Sequence, residues 1–167
     1  MSKVLIGYFS KTGSTKEIAE RIGANLAKKG VESDVLELEK IKNIENYSSV
    51  ILGAPINGMK HVPEFIKFVE ENKTVLDGKV AGLFTVAYIY YDGRKIWRGM
   101  MNKSIAKIEK LINPKNSIVF AGRIDKKMPA FANLLFGIGS DLPLDLINHA
   151  EIDKWCEEIG KLIKSAN

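Results

Sequence analysis

Cysteine is nearly absent from this sequence: Cys156 is the single one among 167 residues. One thiol cannot close an internal disulfide or build a cysteine-rich metal site, which excludes disulfide scaffolds and zinc fingers and fits a reducing compartment. Long apolar runs are missing as well. The longest are strand-sized, well short of the roughly 18 residues that a membrane-spanning helix needs. Val4-Leu5-Ile6 meets Gly7 too soon to serve as the apolar region of a signal peptide. The expected location is cytoplasmic. Internal repeats, low-complexity tracts and domain linkers are also lacking, and 46% hydrophobic with 27% charged residues is the balance of an ordinary globular chain about one domain long. One domain over residues 1–167 is the expectation.

Acidic residues are scarce in one stretch. Residues 1–78 hold 11 basic and 11 acidic side chains, whereas residues 79–167 hold 14 and 9, so the net charge of +5 lies wholly in the second half. Within it, residues 94–127 carry 10 basic side chains against Glu109 and Asp125. Such a patch favours phosphates, anionic lipid, carboxylated substrates or an acidic protein, and it equally describes a solvated helix face. Nucleic acid is not expected, because the patch has no zinc-finger or aromatic RNA-binding signature and charge alone supplies only nonspecific affinity.

What is present is a regular alternation of strand-like apolar runs and helical spacing, five times over, the mark of βαβ units and a parallel sheet covered by helices on both faces. Lys3–Phe9, Val50–Ala54, Lys79–Ala87 and Ser117–Gly122 are nearly continuous apolar runs, as central strands buried on both faces require. Ser33–Leu38 contains Asp34 and Glu37 and reads as an edge strand. Helices are expected over Ser14–Lys29, Val62–Lys73, Arg94–Ile112 and Glu151–Lys164, where apolar residues such as Ile18, Ile22 and Leu26 recur at helical spacing. Between the last strand and the last helix, residues 123–150 form an insert with no place in a minimal βα unit.

The most informative motif lies between the first strand and the first helix: Ser10-Lys11-Thr12-Gly13-Ser14-Thr15. The chain leaves a buried strand, turns through small hydroxyl residues and one glycine, and enters a helix. Unpaired N–H groups at a helix N-terminus bind phosphate, and the hydroxyls of Ser10, Thr12, Ser14 and Thr15 add donors. A Walker A loop is excluded, because five residues, not four, separate Gly7 from Gly13 and Ser14 stands where its lysine belongs. The dinucleotide Gly-x-Gly-x-x-Gly is absent. A receiver domain needs acidic residues at the end of the first strand, where this chain has Tyr8, Phe9 and Ser10.

Tyr8-Phe9-Ser10-Lys11-Thr12-Gly13-Ser14-Thr15 resembles the phosphate loop of the flavodoxin family, Ser/Thr-x-Thr-Gly-x-Thr, and the resemblance extends over nearly the whole chain. It implies a three-layer α/β sandwich with a five-stranded parallel sheet in the order 2-1-3-4-5, and FMN held noncovalently with its phosphate in that loop. The basic balance, the loop Ala54-Pro55-Ile56-Asn57-Gly58 and the long insert look most like the menaquinone-dependent protoporphyrinogen oxidase branch, ordinary flavodoxins being strongly acidic. The implied function is electron carriage between partners through bound flavin, with a quinone-dependent protoporphyrinogen oxidase as the alternative. The implied partners are a redox protein, a quinone or another small molecule.

Two more loops complete the site that the resemblance implies. Pro55, Ile56, Asn57, Gly58 and Met59 would flank the flavin ring, and the Asn57–Gly58 peptide could turn its carbonyl toward N5, since Asn and Gly both tolerate positive φ. The family's usual tryptophan is missing from this loop. Val86, Ala87 and Tyr88 would approach from the next strand, with Tyr88 the candidate for stacking. Lys60 and His61 lie near the expected flavin edge and could stabilise an anionic ring or a substrate carboxylate, or His61 simply enters the helix before Pro63. No catalytic or metal-binding residue is required. The insert's Phe131, Leu134, Leu135, Phe136 and Ile138 either pack onto the domain's own sheet edge or form an amphipathic element that lies on an anionic membrane or covers a quinone or porphyrin site.

Overall fold

The computed structural model describes residues 3–165. Strand β1 (Val4–Tyr8) is buried along its whole length. It leads into helix α1 (Ser14–Lys28), which ends where Gly30 takes positive φ. Strand β2 (Ser33–Glu37) follows, half-buried throughout. The chain then crosses to β3 (Ser49–Asn57), turns back through the two-residue β4 (Lys60–His61), and runs through α2 (Pro63–Leu76), β5 (Val80–Val86), α3 (Lys95–Ile112) and β6 (Ser117–Phe120). A short helix α4 (Ala130–Phe136) and the final α5 (His149–Ser165) complete the chain.

The sheet order is β2-β1-β3-β5-β6, parallel throughout, with β4 antiparallel on the end of β3. Setting β4 aside, this is the order 2-1-3-4-5 that the resemblance implied. Two cores cover the sheet. Ile18, Ile22 and Leu26 of α1 and Ile152, Trp155 and Ile159 of α5 pack on one face. Phe65 and Val69 of α2 and Ile108 and Ile112 of α3 pack on the other. Each fully buried side chain of this kind contributes about 1.5–3 kcal/mol.

The strand over Ser117–Gly122 takes the edge place that the order 2-1-3-4-5 gives it, and departs only from what its composition suggests. Its apolar run reads as central, yet β6 is the sheet's second edge, with Ser117 exposed and Ile118 and Val119 half-buried. Apolar composition reports burial against helices, and α5 supplies that on one side of an edge strand too.

Gly53 of β3 is demanded by packing. A Cβ there would fall inside the Phe84 ring of the neighbouring β5. Phe84 in turn meets Phe120 and Trp155 at ring centroid distances of 6.2 and 6.3 Å.

The hairpin after β3 is pinned by His61, which is buried and lies 5.3 Å from the Phe65 ring. Its backbone N–H donates to Ser104 Oγ at 3.0 Å. Nδ1 lies 3.1 Å from the same hydroxyl and Nε2 3.1 Å from Thr85 Oγ1. Ser104 Oγ can turn its proton to Nδ1, with Nε2–H then donating to Thr85, and a neutral ring satisfies both contacts. Burial favours that neutral ring by pushing His61 down to about 4. The expectation of a charged group at a ligand's edge is therefore corrected: His61 is a neutral tie between β4, α3 and β5. Lys60 is exposed.

Two outcomes follow. Gly53→Ala should lower stability by about 1–3 kcal/mol, because the Phe84 ring it would displace is packed against Phe120 and Trp155, as urea denaturation would show. For His61 the folded pKa lies below the unfolded value of 6.5. Its contribution is thus complete above about pH 6.5 and lost as pH falls toward 4, amounting to about 3 kcal/mol. The wild type should lose that much more stability than His61→Gln over this window, and equal slopes would refute the neutral tie.

Candidate functional site

Every strand of the parallel ladder points its carboxyl end the same way, and β1 has its neighbours β2 and β3 on opposite sides. The connections leaving β1 and β3 therefore run to opposite faces, which opens a crevice between them at the carboxyl edge. Four segments line that crevice: the loop before α1, the end of β3 with the start of α2, the end of β5, and the chain just past β6.

The first wall is the hydroxyl-rich loop. Gly13 adopts φ 91°, and its N–H donates to Ser10 Oγ at 3.1 Å, which folds the loop back on itself. The first helical bond of α1 runs from Glu17 N–H to the Gly13 carbonyl, so the N–H groups of Ser14, Thr15 and Lys16 precede any intrahelical partner. No side chain caps this end, although hydroxyls surround it. Lys11, Thr12, Ser14 and Thr15 all face the crevice, Ser14 and Thr15 being buried. An uncapped helix start with donors converging on one space is a site for an anion.

The second and third walls are apolar. Pro55, Ile56 and Asn57 come from β3, Val62 from the start of α2, and Val86 and Tyr88 from the end of β5. The Tyr88 hydroxyl donates to the Pro143 carbonyl of the insert at 2.8 Å. Burial, with Asp92 nearby, raises its pKa and keeps it a donor. The fourth wall is Gly122, Arg123 and Ile124. Here the insert folds back antiparallel: Ile124 N–H donates to the Leu144 carbonyl, and Leu146 N–H to that of Gly122.

Arg123 joins this wall to the loop. Its N–H donates to Ser14 Oγ at 3.2 Å, and its guanidinium pairs with Glu17 and with Asp145, the latter at 2.9 Å. Glu17 also meets His149 Nε2 at 3.1 Å. Burial alone would raise the Glu17 carboxyl, but its hydrogen bonds with His149 and Arg123 hold it below the usual range. The Arg123 charge is thus balanced by two carboxylates, and the anion-binding character of the crevice comes from α1 and its hydroxyls. No acidic side chain lines it.

Of the residues singled out in the sequence, Lys11, Thr12, Ser14, Thr15, Pro55, Ile56, Asn57, Val86 and Tyr88 meet in this crevice. Ser10 and Gly13 shape the loop behind it. Ala87 and Met59 turn away into a cluster with Ile89 and Met101. Gly58 sits in the turn of the β3–β4 hairpin, where Asn57 pairs with Lys60. Gly58, one of the two residues noted for tolerating positive φ, has φ 57°, and Met59 after it has φ 67°, a two-residue turn whose hand suits the strand twist. Val62, Gly122, Arg123 and Ile124 escaped the sequence reading. The available signal was positional, since residues just past a buried strand of a parallel sheet sit at its carboxyl edge.

Among the described residues, no group of three or more His, Cys, Asp and Glu side chains could hold a metal ion, and no helix is long and apolar enough to cross a membrane. Cys156 is buried, and burial pushes its thiol up to about 11.

Comparison with known proteins agrees with this geometry. The quinone-dependent protoporphyrinogen IX dehydrogenase of Escherichia coli K12 is 30% identical over 86 residues, which cover 50% of this chain and 48% of that protein. The chain thus matches about half the length of that curated relative. Among solved structures, an archaeal flavodoxin superposes with a TM-score of 0.61 at 18% identity, covering 97% of this chain and 99% of its own. Oxidised flavodoxin 1 of Bacillus cereus does so with a TM-score of 0.61 at 17% identity and 98% coverage of both chains. Residues 5–133 match the flavodoxin domain family, so that the chain belongs to the flavodoxin family, and the cofactor this membership implies is FMN.

Proposed function

We propose that the crevice at the carboxyl edge is the FMN site and that the chain passes electrons between a reduced partner and an acceptor through that flavin. The observation that carries this reading is the uncapped start of α1 meeting apolar walls from β3 and β5 in one crevice. The phosphate would be held by the N–H groups and hydroxyls of Thr12, Ser14 and Thr15, with Lys11 beside them. Pro55, Ile56, Val86 and Tyr88 would flank the flat ring system and keep water from it. FMN, when bound, supplies one- and two-electron transfer.

The chain's own residues position the group and exclude solvent. None is required as an acid or base: His61 is sealed away and neutral, and Arg123 is committed to Glu17 and Asp145. Asn57 closes the β3 side with an exposed amide, and the Gly58–Met59 turn behind it is already held in the left-handed region. Conformational freedom at Gly58 is the feature that would let the adjoining peptide reorient.

A second reading is a quinone-dependent porphyrinogen oxidase. It is favoured by the stretch shared with the Escherichia coli dehydrogenase and by the insert, which is tied to the crevice wall through Tyr88 and Pro143. Reduction of the FMN-loaded protein by a porphyrinogen followed by reoxidation with a quinone should be fast under this reading. It should be no faster than free flavin if the chain serves only protein partners.

The site assignment has its own test. FMN should bind at least tenfold more tightly than riboflavin, because charge-assisted hydrogen bonds to the phosphate are the strong ones. Thr12→Asp should abolish most of that preference by setting a carboxylate against the phosphate, while its melting temperature in the absence of flavin stays near that of the wild type. Equal affinity for FMN and riboflavin, measured by fluorescence quenching, would show that the loop does not hold the phosphate.

A further inference from the structure

Helix α4 was expected either to pack onto the sheet edge or to face outward, and the structure divides its residues. Ala132 and Ile138 are buried, and Phe136 stacks edge-on against Trp97 at 5.7 Å. Phe131, Leu134 and Leu135, one helical face at i, i+3 and i+4, point outward with exposures of 73%, 73% and 51%. The start of α3 lies alongside. Trp97 Nε1–H donates to the Leu135 carbonyl at 3.0 Å, and the Arg94 guanidinium donates to that of Leu134 at 2.8 Å. Between these two anchoring residues, Ile96 is 65% exposed.

We propose that α4 and the start of α3 form a docking surface for an anionic lipid bilayer. Two observations commit the surface to this occupant. The first is charge. Arg94, Lys95, Lys126 and Lys127 are exposed and flank the apolar face along the chain, Arg94 being bonded to Leu134 itself, and residues 126–140 contain no acidic side chain. Asp125 and Asp141 stand at its two margins and Asp92 precedes Arg94. Exposed cations before and after an apolar face match a surface of anionic headgroups over acyl chains. The second is shape. Phe131 and Leu134 protrude from a seven-residue helix about 10 Å long, whereas a stable protein interface draws on about 800 Å² from each partner. A small exposed apolar face of this size is accommodated by a deformable headgroup layer.

The surface stands on residues outside the crevice and requires nothing of what the crevice binds. Loss of flavin and loss of docking are therefore separable. Together they would place an electron-transfer crevice, linked to the insert through Tyr88 and Pro143, at a membrane surface where lipophilic acceptors dissolve.

The test is cosedimentation of the full chain with vesicles of phosphatidylcholine alone and of phosphatidylcholine mixed with phosphatidylglycerol, with Trp97 fluorescence as a second reading. Binding to the anionic vesicles should be at least tenfold stronger than to the neutral ones, should weaken with added salt, and should shift the Trp97 emission to the blue. The triple variant Phe131→Ser, Leu134→Ser, Leu135→Ser should lose it while melting as the wild type does. Should that variant fold poorly, Lys126→Gln with Lys127→Gln should still reduce binding roughly tenfold without touching the apolar packing. Equal binding to both vesicle types, no binding, or retention of binding in the folded triple or double variant would overturn the proposal. So would gel filtration showing a wild-type dimer that the triple variant abolishes while neither protein binds vesicles, because the face would then belong to a second copy of the chain.

Discussion

Burial of β1, β3 and β5 on both faces is the constraint from which the rest of this structure follows. A strand covered above and below can meet solvent only at its ends, so polar and flexible residues gather there. With β1 flanked by β2 and β3, the helices that follow β1 and β3 must lie on opposite faces, and α1 and α2 do so. The crevice at the carboxyl edge is the space those divergent connections leave. Its donors come from the uncapped start of α1, and its apolar walls are the last residues of strands whose earlier residues form the core.

The same constraint explains the arrangement of charge. The crevice contains no acidic side chain, yet Glu17 sits one turn into α1. It is tolerated because Arg123 and His149 meet it from the chain beyond β6. Asp145 completes the set by pairing with Arg123. Ion pairs this accessible contribute little to stability individually. Their effect is to hold the insert's first and last residues against α1, so that Gly122 and Ile124 can serve as a wall.

The basic excess of the second half is exposed for a related reason. Ile105, Ile108 and Ile112 fill the sheet-facing side of α3, which leaves Lys103, Lys107 and Lys110 to the solvent side. At its start the pattern breaks. Ile96 and Met100 are exposed, where Arg94 and Trp97 turn to α4. An apolar residue left exposed at a helix end is available to something outside the chain.

Local spacing in the sequence determined the alternation of elements, the two-sided burial of the central strands, the edge position of β2 and the hydroxyl-rich turn into α1. Each of these is written in neighbouring residues: Ile18, Ile22 and Leu26 mark a helix face, and Ser10 to Thr15 mark a strand-to-helix turn, whatever lies across from them. The strand order came from resemblance, since spacing says nothing of which strand pairs with which. Tertiary structure alone decided that His61 is a neutral tie to Ser104 and Thr85, and that Arg123 packs against Glu17 across 106 positions. It also decided that Phe136 and Ile138 turn inward while Phe131, Leu134 and Leu135 turn out. An apolar side chain carries the same transfer free energy on either side of a short helix, and only the position of Trp97 and the Arg94 turn beneath it selects which face is buried.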